Sequence, residues 1–178
     1  MSKKTFFSII FVAFAVFLLF GFSESALAAK GIIVTKPAGA GSTGKITVSD
    51  LGITDVGTLP SSRWYFFKEW GRGFERFFTF NSVKKAELEL RITNEKAAEA
   101  LTIQETNPDD AEALAKAIGN FTDATERLEA RLAKLTETSE NPNVAALLEK
   151  LNEQTLKHAV LFNQLAERYI GDPDFDLI

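Results

Sequence analysis

The segment from Ala111 to Leu135 constrains the fold more than any other part of the chain, because its apolar positions recur at alternating steps of three and four residues. The positions that follow this pattern are Ala111, Leu114, Ile118, Phe121, Thr125, Leu128, Leu132 and Leu135. Such heptad spacing places one apolar stripe along an α-helix, as in coiled coils. We expect a helix from Pro108 to Glu137, on the order of 45 Å long at about 1.5 Å per residue.

Long helices are also predicted on both sides of this one. The preceding helix is predicted from Ser82 to Glu105, with Asn81 as its N-cap. Its apolar stripe consists of Val83, Ala86, Leu90, Ala97 and Leu101. The following helix is predicted to have Asn141 as its cap and Pro142 at its first position, as Asn107 and Pro108 do for the middle helix, and to end at Gly171. Its apolar stripe consists of Val144, Leu148, Leu151, Thr155, His158, Phe162, Leu165 and Tyr169.

Short connections between these helices favour antiparallel neighbours. The sequence therefore predicts an all-α fold, an antiparallel up-down bundle of three long helices plus a short aromatic N-terminal helix. Residues 61–171 would form this bundle domain, and residues 172–178 would be an acidic tail.

The short helix is predicted from the segment 59–80, which holds both tryptophans and six of the sixteen phenylalanines. Ser61 and Ser62 are candidates for its N-cap. Helical spacing groups its interaction candidates, which are Trp64, Phe67, Trp70, Phe74, Phe77 and Phe78. We favour the interpretation that these side chains plug the bundle core, because the later helices have apolar faces that need a cover. The alternative is a helix lying in a membrane interface, with its arginines on the opposite side.

The first 28 residues have the pattern of a secretory signal peptide. Lys3 and Lys4 precede an apolar run from Phe6 to Phe22, and the small residues of Ala26-Leu27-Ala28 predict cleavage after Ala28 or, alternatively, Ala29. The run also reaches the lower length limit of a membrane-spanning helix, so a retained anchor is the alternative. Both interpretations place the remaining chain outside the cytoplasm, secreted or attached to the envelope.

Residues 29–60 are rich in Gly and small residues, and we predict a flexible tether. Within it, Gly39 to Lys45 matches most of a phosphate-binding loop. However, Ile46 occupies the position where a Ser or Thr hydroxyl would bind magnesium, and no helix is predicted to follow. We therefore expect no nucleotide.

Composition excludes several classes of site. The net charge of −4 argues against nucleic-acid binding, and the absence of cysteine removes disulfides and thiolate sites. His158 is the sole histidine, and we expect it to be a packed, hydrogen-bonded core residue. The acids between Asp172 and Asp176 resemble the start of a calcium loop but lack its later Gly and Glu. We predict no metal, no cofactor and no catalytic residue.

Three motifs carry a resemblance to a known family. They are Leu59-Pro60-Ser61-Ser62 followed by Tyr65-Phe66-Phe67-Lys68, the corner from Phe77 to Leu88, and Asn94-Glu95-Lys96-Ala97-Ala98-Glu99. Together they resemble the bacterial domain of unknown function number 5667, with Phe67 where Leu is common and Ser82 where Pro is common. The resemblance implies an exported or membrane-tethered helical domain and brings no established activity or site residues.

From these patterns we expect an exported, non-enzymatic helical domain of the bacterial cell envelope. It would act through protein–protein contacts, through self-association, or through contacts with the envelope that include the membrane surface. The alternative is an extracytoplasmic stress or ligand sensor, or a chaperone-like helical hairpin that binds unfolded protein or metal. An enzyme is not expected, because the sequence contains no recognisable nucleophile–base pair or metal cluster.

Overall fold

The computed structural model describes residues 44–135 and 142–169, and these residues form four α-helices and a short 3-10 helix. We name the α-helices α1 (Tyr65–Phe78), α2 (Ser82–Thr106), α3 (Ala111–Leu132) and α4 (Pro142–Tyr169), and the 3-10 helix covers Ser49–Leu51. The described ranges contain no strand, which confirms the all-α class. In those same ranges, no helix is both long and apolar enough to cross a bilayer. The signal peptide or anchor, tether residues 29–43 and the acidic tail lie outside the described residues.

The start of α2 agrees with the sequence prediction, whereas the starts of α1 and α3 do not. Asn81 Oδ1 accepts a hydrogen bond from the Lys84 amide at 3.0 Å, so it is the N-cap of α2 as predicted. The predicted start of α3 at Pro108 is wrong, because Asp110 Oδ1 caps the helix by accepting from the Ala113 amide at 2.9 Å. Asn107 instead ends α2, where its amide donates to the Ile103 carbonyl.

α1 begins at Tyr65 after Trp64, which makes no side-chain cap. The predicted caps, Ser61 and Ser62, are therefore wrong, and Ser62 Oγ accepts from the Trp64 amide in a turn before the helix. α4 begins at Pro142, as predicted, while its predicted cap Asn141 lies outside the described residues. α3 ends at Leu132, short of the predicted Glu137, which is also outside them.

α2 is the most enclosed helix, with 16 of its 25 residues buried. Every residue of its predicted stripe is among them, which confirms that stripe. A cluster of apolar side chains joins α2 to the ends of α3 and α4; it contains Val83, Ala86, Leu90, Leu128, Leu135, Val144 and Leu147. A smaller cluster joins Leu88 and Ile92 to Ala124 of α3.

The predicted stripes of α3 and α4 are correct only in part. Leu114, Leu128 and Leu135 are buried, but Ala111 is exposed. On α4, Leu147 is buried in place of the predicted Leu148, which is exposed. In this turn of α4 the buried position is therefore one residue earlier than the predicted heptad spacing.

Residues 45–60 pack against the helices, so the predicted tether boundary at residue 60 lies too late. The Leu51 side chain is fully buried, and Lys157 Nζ donates to the Asp50 carbonyl at 2.7 Å. Gly52 ends the 3-10 helix with φ of 74°, a left-handed conformation that glycine adopts without strain. Lys45, the lysine of the loop-like motif, forms an ion pair with Glu105 Oε1 at 2.7 Å.

Candidate interaction surface

Apart from the buried Tyr65, the aromatic side chains of α1 point into solvent, together with those of the nearby Trp64 and Phe80. We call this set the aromatic face; its members are Trp64, Phe66, Phe67, Trp70, Phe74, Phe77, Phe78 and Phe80, and they are 50–80% exposed. At about 100° per residue, the six that belong to α1 fall within an arc of roughly 120°. The favoured prediction that they plug the bundle core is therefore wrong.

Neighbouring rings of the aromatic face contact one another. Trp64 stacks on Phe67 with ring centroids 5.8 Å apart, and Trp70 meets Phe74 edge-to-face at 6.5 Å. Phe77 and Phe78 form another edge-to-face pair at 5.2 Å. Such pairs contribute about 0.5–1.5 kcal/mol each, so they stabilise the face as a surface although the rest of the domain does not cover it.

The opposite side of α1 is polar and packs against α2. Within α1 only Tyr65 and Arg72 are buried. The groups that meet them are charged, and together they form what we call the polar contact: Tyr65, Lys68, Glu69, Arg72 and Arg76 from α1, with Glu89, Glu95, Lys96 and Glu99 from α2.

Arg72 is at the centre of the polar contact. Its Nη2 donates to Glu95 Oε2 at 2.7 Å and to Glu99 Oε1 at 3.0 Å, and its Nε donates to Glu95 Oε2 at 3.1 Å. Its Nη1 donates to Glu69 on the preceding turn of α1. The Arg72 side chain is only 3% exposed and that of Glu99 is 0% exposed, so water screens this pair weakly.

Lys96 forms a second set of bonds beside Arg72. Its ammonium donates to the Tyr65 hydroxyl and to Glu69. The Tyr65 hydroxyl in turn donates to Glu99 Oε2 at 2.6 Å, and Asn120 of α3 donates to Tyr65 at 3.3 Å. The buried ammonium and carboxylate thus have partners on both helices, which buried charges require.

Two more cations complete the polar contact at its ends. Lys68 Nζ lies 2.7 Å from Glu99 Oε1 and also donates to the carbonyls of Val56 and Thr58. Arg76 donates to both carboxylate oxygens of Glu89, at 2.9 and 3.0 Å. Such a paired geometry is the strong form of an arginine–carboxylate contact. Cations and carboxylates are therefore balanced along the whole length of α1.

The pKa values of the buried groups follow from this arrangement. Burial, the hydrogen bond to Glu99 and the charge of Glu99 raise the pKa of Tyr65, so the phenol stays protonated and can donate. Burial lowers the pKa of Lys96, although Glu99 and Glu69 oppose the shift. Burial raises the pKa of Glu69, but Lys96 and Arg72 outweigh it, and the net shift is downward.

The polar contact explains why the aromatic side chains point outward. If α1 were rotated to place its rings on α2, the buried Glu89, Lys96 and Glu99 would lose the partners that α1 supplies, and breaking a buried ion pair costs about 3–5 kcal/mol. The charged side of α1 satisfies these groups, and its rings then face solvent. The orientation of the aromatic face is therefore set by α2.

Sequence reasoning misses the polar contact, although its spacing is visible in the chain. Lys68, Arg72 and Arg76 recur every four residues and so share one side of α1. Glu89, Lys96 and Glu99 recur at helical spacing on α2. The two rows are separated in the sequence, and only the opposite charges of Lys68, Arg72 and Arg76 on one and of Glu89 and Glu99 on the other indicate that they pair.

His158 is buried, as predicted, and its ring packs edge-to-face on Phe121 with centroids 5.2 Å apart. Among the described residues its Nε2 has no hydrogen-bond partner. Burial, with a smaller contribution from the charge of Lys157, lowers the pKa of His158 to about 4. The group is therefore neutral at neutral pH.

Comparison with known proteins identifies the family. A family model described as a domain of unknown function (DUF5667) matches residues 57–169. This range contains the aromatic face, the polar contact and all four helices. No curated protein and no solved structure matches the chain. Because the family model covers more than half of the 178 residues, the chain belongs to DUF5667, the family that its motifs resemble.

Proposed function

We propose that this chain is a non-enzymatic helical domain of the bacterial cell envelope, and that its aromatic face makes its contacts there. The observation that carries the proposal is the exposure of eight aromatic side chains, six on one side of α1 and two beside its ends. At about 200 Å² per side chain, their exposed portion amounts to roughly 1,000 Å². Monomeric proteins seldom expose an apolar patch of more than a few hundred Å² unless it binds something.

The polar contact supports a binding role for this surface. Because α2 carries buried charges whose partners lie mainly on the polar side of α1, the rings are held outward by specific bonds. A surface exposed by poor packing would not need such bonds. In this proposal α2, α3 and α4 form the antiparallel up-down bundle predicted from the sequence, and that bundle is the support for α1.

The non-enzymatic part of the proposal is supported by the closed geometry of the polar contact. The polar contact brings several titratable groups together, and the pKa values of Tyr65, Glu69 and Lys96 are shifted. Such clusters can mark active sites. Here the Lys96 and Glu99 side chains are almost completely buried, and each contacts other members of the cluster. A substrate could reach them only after α1 had moved away.

The envelope location is an expectation from the sequence of the first 28 residues, which have the pattern of a secretory signal peptide. With the leader cleaved, the domain would be outside the cytoplasm. With the leader retained, it would be held at the membrane.

Site-specific photo-crosslinking in living cells tests the contact role. Phe77 is replaced by benzoylphenylalanine in the full chain, and the matched control carries the same group at Leu148, an exposed apolar position of α4. We expect irradiation to give a defined crosslinked product, protein or lipid, from position 77 and little from position 148. Equal background at both positions would reject the aromatic face as a contact surface.

A further inference from the structure

We infer that the aromatic face rests on the surface of a lipid bilayer. This inference depends on the contact role proposed above and names what is contacted. It follows from the chemistry of the face, from the pairing of the charges behind it, and from the position of the apolar segment that precedes the domain in the chain.

The aromatic face offers almost no directional bonding. Six of its eight members are phenylalanines, and the side-chain polar groups it presents are the indole N–H groups of Trp64 and Trp70. A protein interface of comparable area carries about one hydrogen bond per 100–200 Å². The boundary between lipid head groups and acyl chains asks for no such bonds, and tryptophan and phenylalanine are the residues that amphipathic helices insert there.

The surface is suited to a flat, apolar partner and not to a charged one. The exposed rings occupy one side of a single helix, and the cations of α1 are turned away from them. Lys68, Arg72 and Arg76 bind Glu99, Glu95 and Glu89 of α2. Because these cations are already neutralised and the chain has a net charge of −4, attraction to anionic lipid contributes little. The bilayer contact is therefore apolar, and it should persist in neutral lipid and at high salt.

The chain also contains a segment that would bring the domain to a membrane. About 20 residues separate the apolar run Phe6–Phe22 from Lys45. A stretch of that length spans no more than roughly 70 Å even when it is fully extended. If the apolar run is held in a bilayer, α1 therefore remains close to that same bilayer, and its rings meet the surface at a high effective concentration.

Tryptophan fluorescence of the full chain tests the inference directly. The chain has two tryptophans, and both belong to the aromatic face. Their emission therefore reports on this face even when Phe6–Phe22 is inserted in the same vesicle. The chain is reconstituted in neutral phosphatidylcholine vesicles, with and without bromine atoms on the upper acyl chains, and iodide serves as the aqueous quencher.

In the vesicles we expect blue-shifted emission, strong quenching by brominated lipid and protection from iodide, all unchanged by added salt. The double variant Phe74→Ser with Phe77→Ser keeps both reporters and should lower quenching by brominated lipid at least about threefold, because less apolar surface enters the bilayer. The matched control, Leu148→Ser with Leu156→Ser, removes two exposed apolar residues of α4 and should leave it unchanged.

Other results would overturn the inference. Indoles that remain open to iodide in the vesicles would show that the face does not enter the bilayer. If position 77 still gave a protein crosslink in cells, the contact role would stand and its partner would be a protein. Indoles that are protected from iodide in the absence of vesicles would show that a second copy of this chain covers the face. Loss of quenching on adding salt would show that the contact is electrostatic and not apolar.

Discussion

At the scale of one residue, Arg72 shows that the buried side of an amphipathic helix can carry a charged group. Its guanidinium contacts Glu69, Glu95 and Glu99, and these bonds outweigh the effect of burial and raise the pKa of Arg72. Five donors in a fixed planar fork suit arginine to such a site, and lysine would not reproduce the geometry. The position of α1 on α2 therefore depends on this side chain more than on any ring.

We predict that Arg72→Met lowers the free energy of unfolding by about 3 kcal/mol, because removing one member of a buried ion pair leaves uncompensated charge. The value falls at the lower end of the usual range because Lys68 and Lys96 remain near Glu99. Urea denaturation followed by circular dichroism measures the change.

Arg91→Gln is the matched control. Arg91 pairs with Glu75 and Glu95 on the surface, where its side chain is about half exposed. Exposed pairs contribute only about 0–1 kcal/mol. Equal losses from the two substitutions would contradict the central role of Arg72.

At the scale of the element, α1 is polar where it is covered and apolar where it is exposed. Gly71 and Gly73 flank the aromatic arc, and a Cβ added at either would meet no atom within 4 Å. Close packing therefore does not require glycine at these positions. Each costs the helix roughly 0.5–1 kcal/mol relative to alanine.

We predict that Gly71→Ala raises the free energy of unfolding by about 0.5–1 kcal/mol, through the smaller conformational freedom of the unfolded chain. Gly52→Ala is the opposite control, because Gly52 has a φ of 74° that alanine adopts only with strain. It should lower stability by about 1 kcal/mol. Urea melts of both variants check the signs, and a loss of stability from Gly71→Ala would show that this glycine is required.

An element could be predicted from sequence where the residues that determine it lie close together in the chain. Asn81 caps α2 through a bond to an amide three residues away, and this pattern can be read from sequence. At α3 two local signals compete, Asn107-Pro108 and Asp110. The structure uses Asp110, whereas the amide of Asn107 donates to the Ile103 carbonyl at the end of α2. Both candidates have a suitable side-chain acceptor, so local sequence does not choose between them.

The aromatic face could not be oriented from α1 alone. Burial of hydrophobic residues is a tendency of whole domains, and it does not determine which side of one helix is covered. The covered side of α1 is set by Glu89, Lys96 and Glu99, which lie on α2 and require charged partners. Sequence patterns thus identified the helices and the unusual segment, whereas its orientation required the pairing of two elements.

At the scale of the domain formed by Lys45–Arg168, α2 makes two chemically different contacts. Val83, Ala86 and Leu90 join the apolar cluster with α3 and α4, while Glu89 and Glu99 belong to the polar contact with α1. Apolar packing therefore stabilises the support, which is α2 with α3 and α4, and charge pairing orients the aromatic face of α1. His158 belongs to the support and not to the polar contact, because it is buried on α4 and packs on Phe121 of α3.

His158 should make the folded domain less stable below about pH 6.5. Its pKa is about 4 in the folded state and 6.5 for the ordinary group. Above pH 6.5 the imidazole is neutral in both states, and the stability is fully present. As the pH falls from 6.5 toward 4, the unfolded chain takes up a proton that the folded chain does not. The free energy of unfolding should therefore decrease by roughly 1.4 kcal/mol per pH unit across this window.

Urea denaturation between pH 7 and pH 4.5 measures this slope, and His158→Leu is the variant that isolates it. Leucine fills a similar volume beside Phe121 and cannot be protonated, so the slope between these pH values should be much shallower in the variant. Glu69 should add little in this window, because Lys96 and Arg72 hold its pKa below the usual 4.5. Equal slopes in the two proteins would show that the acid sensitivity arises from other groups and that the His158 imidazole accepts a proton within the folded domain.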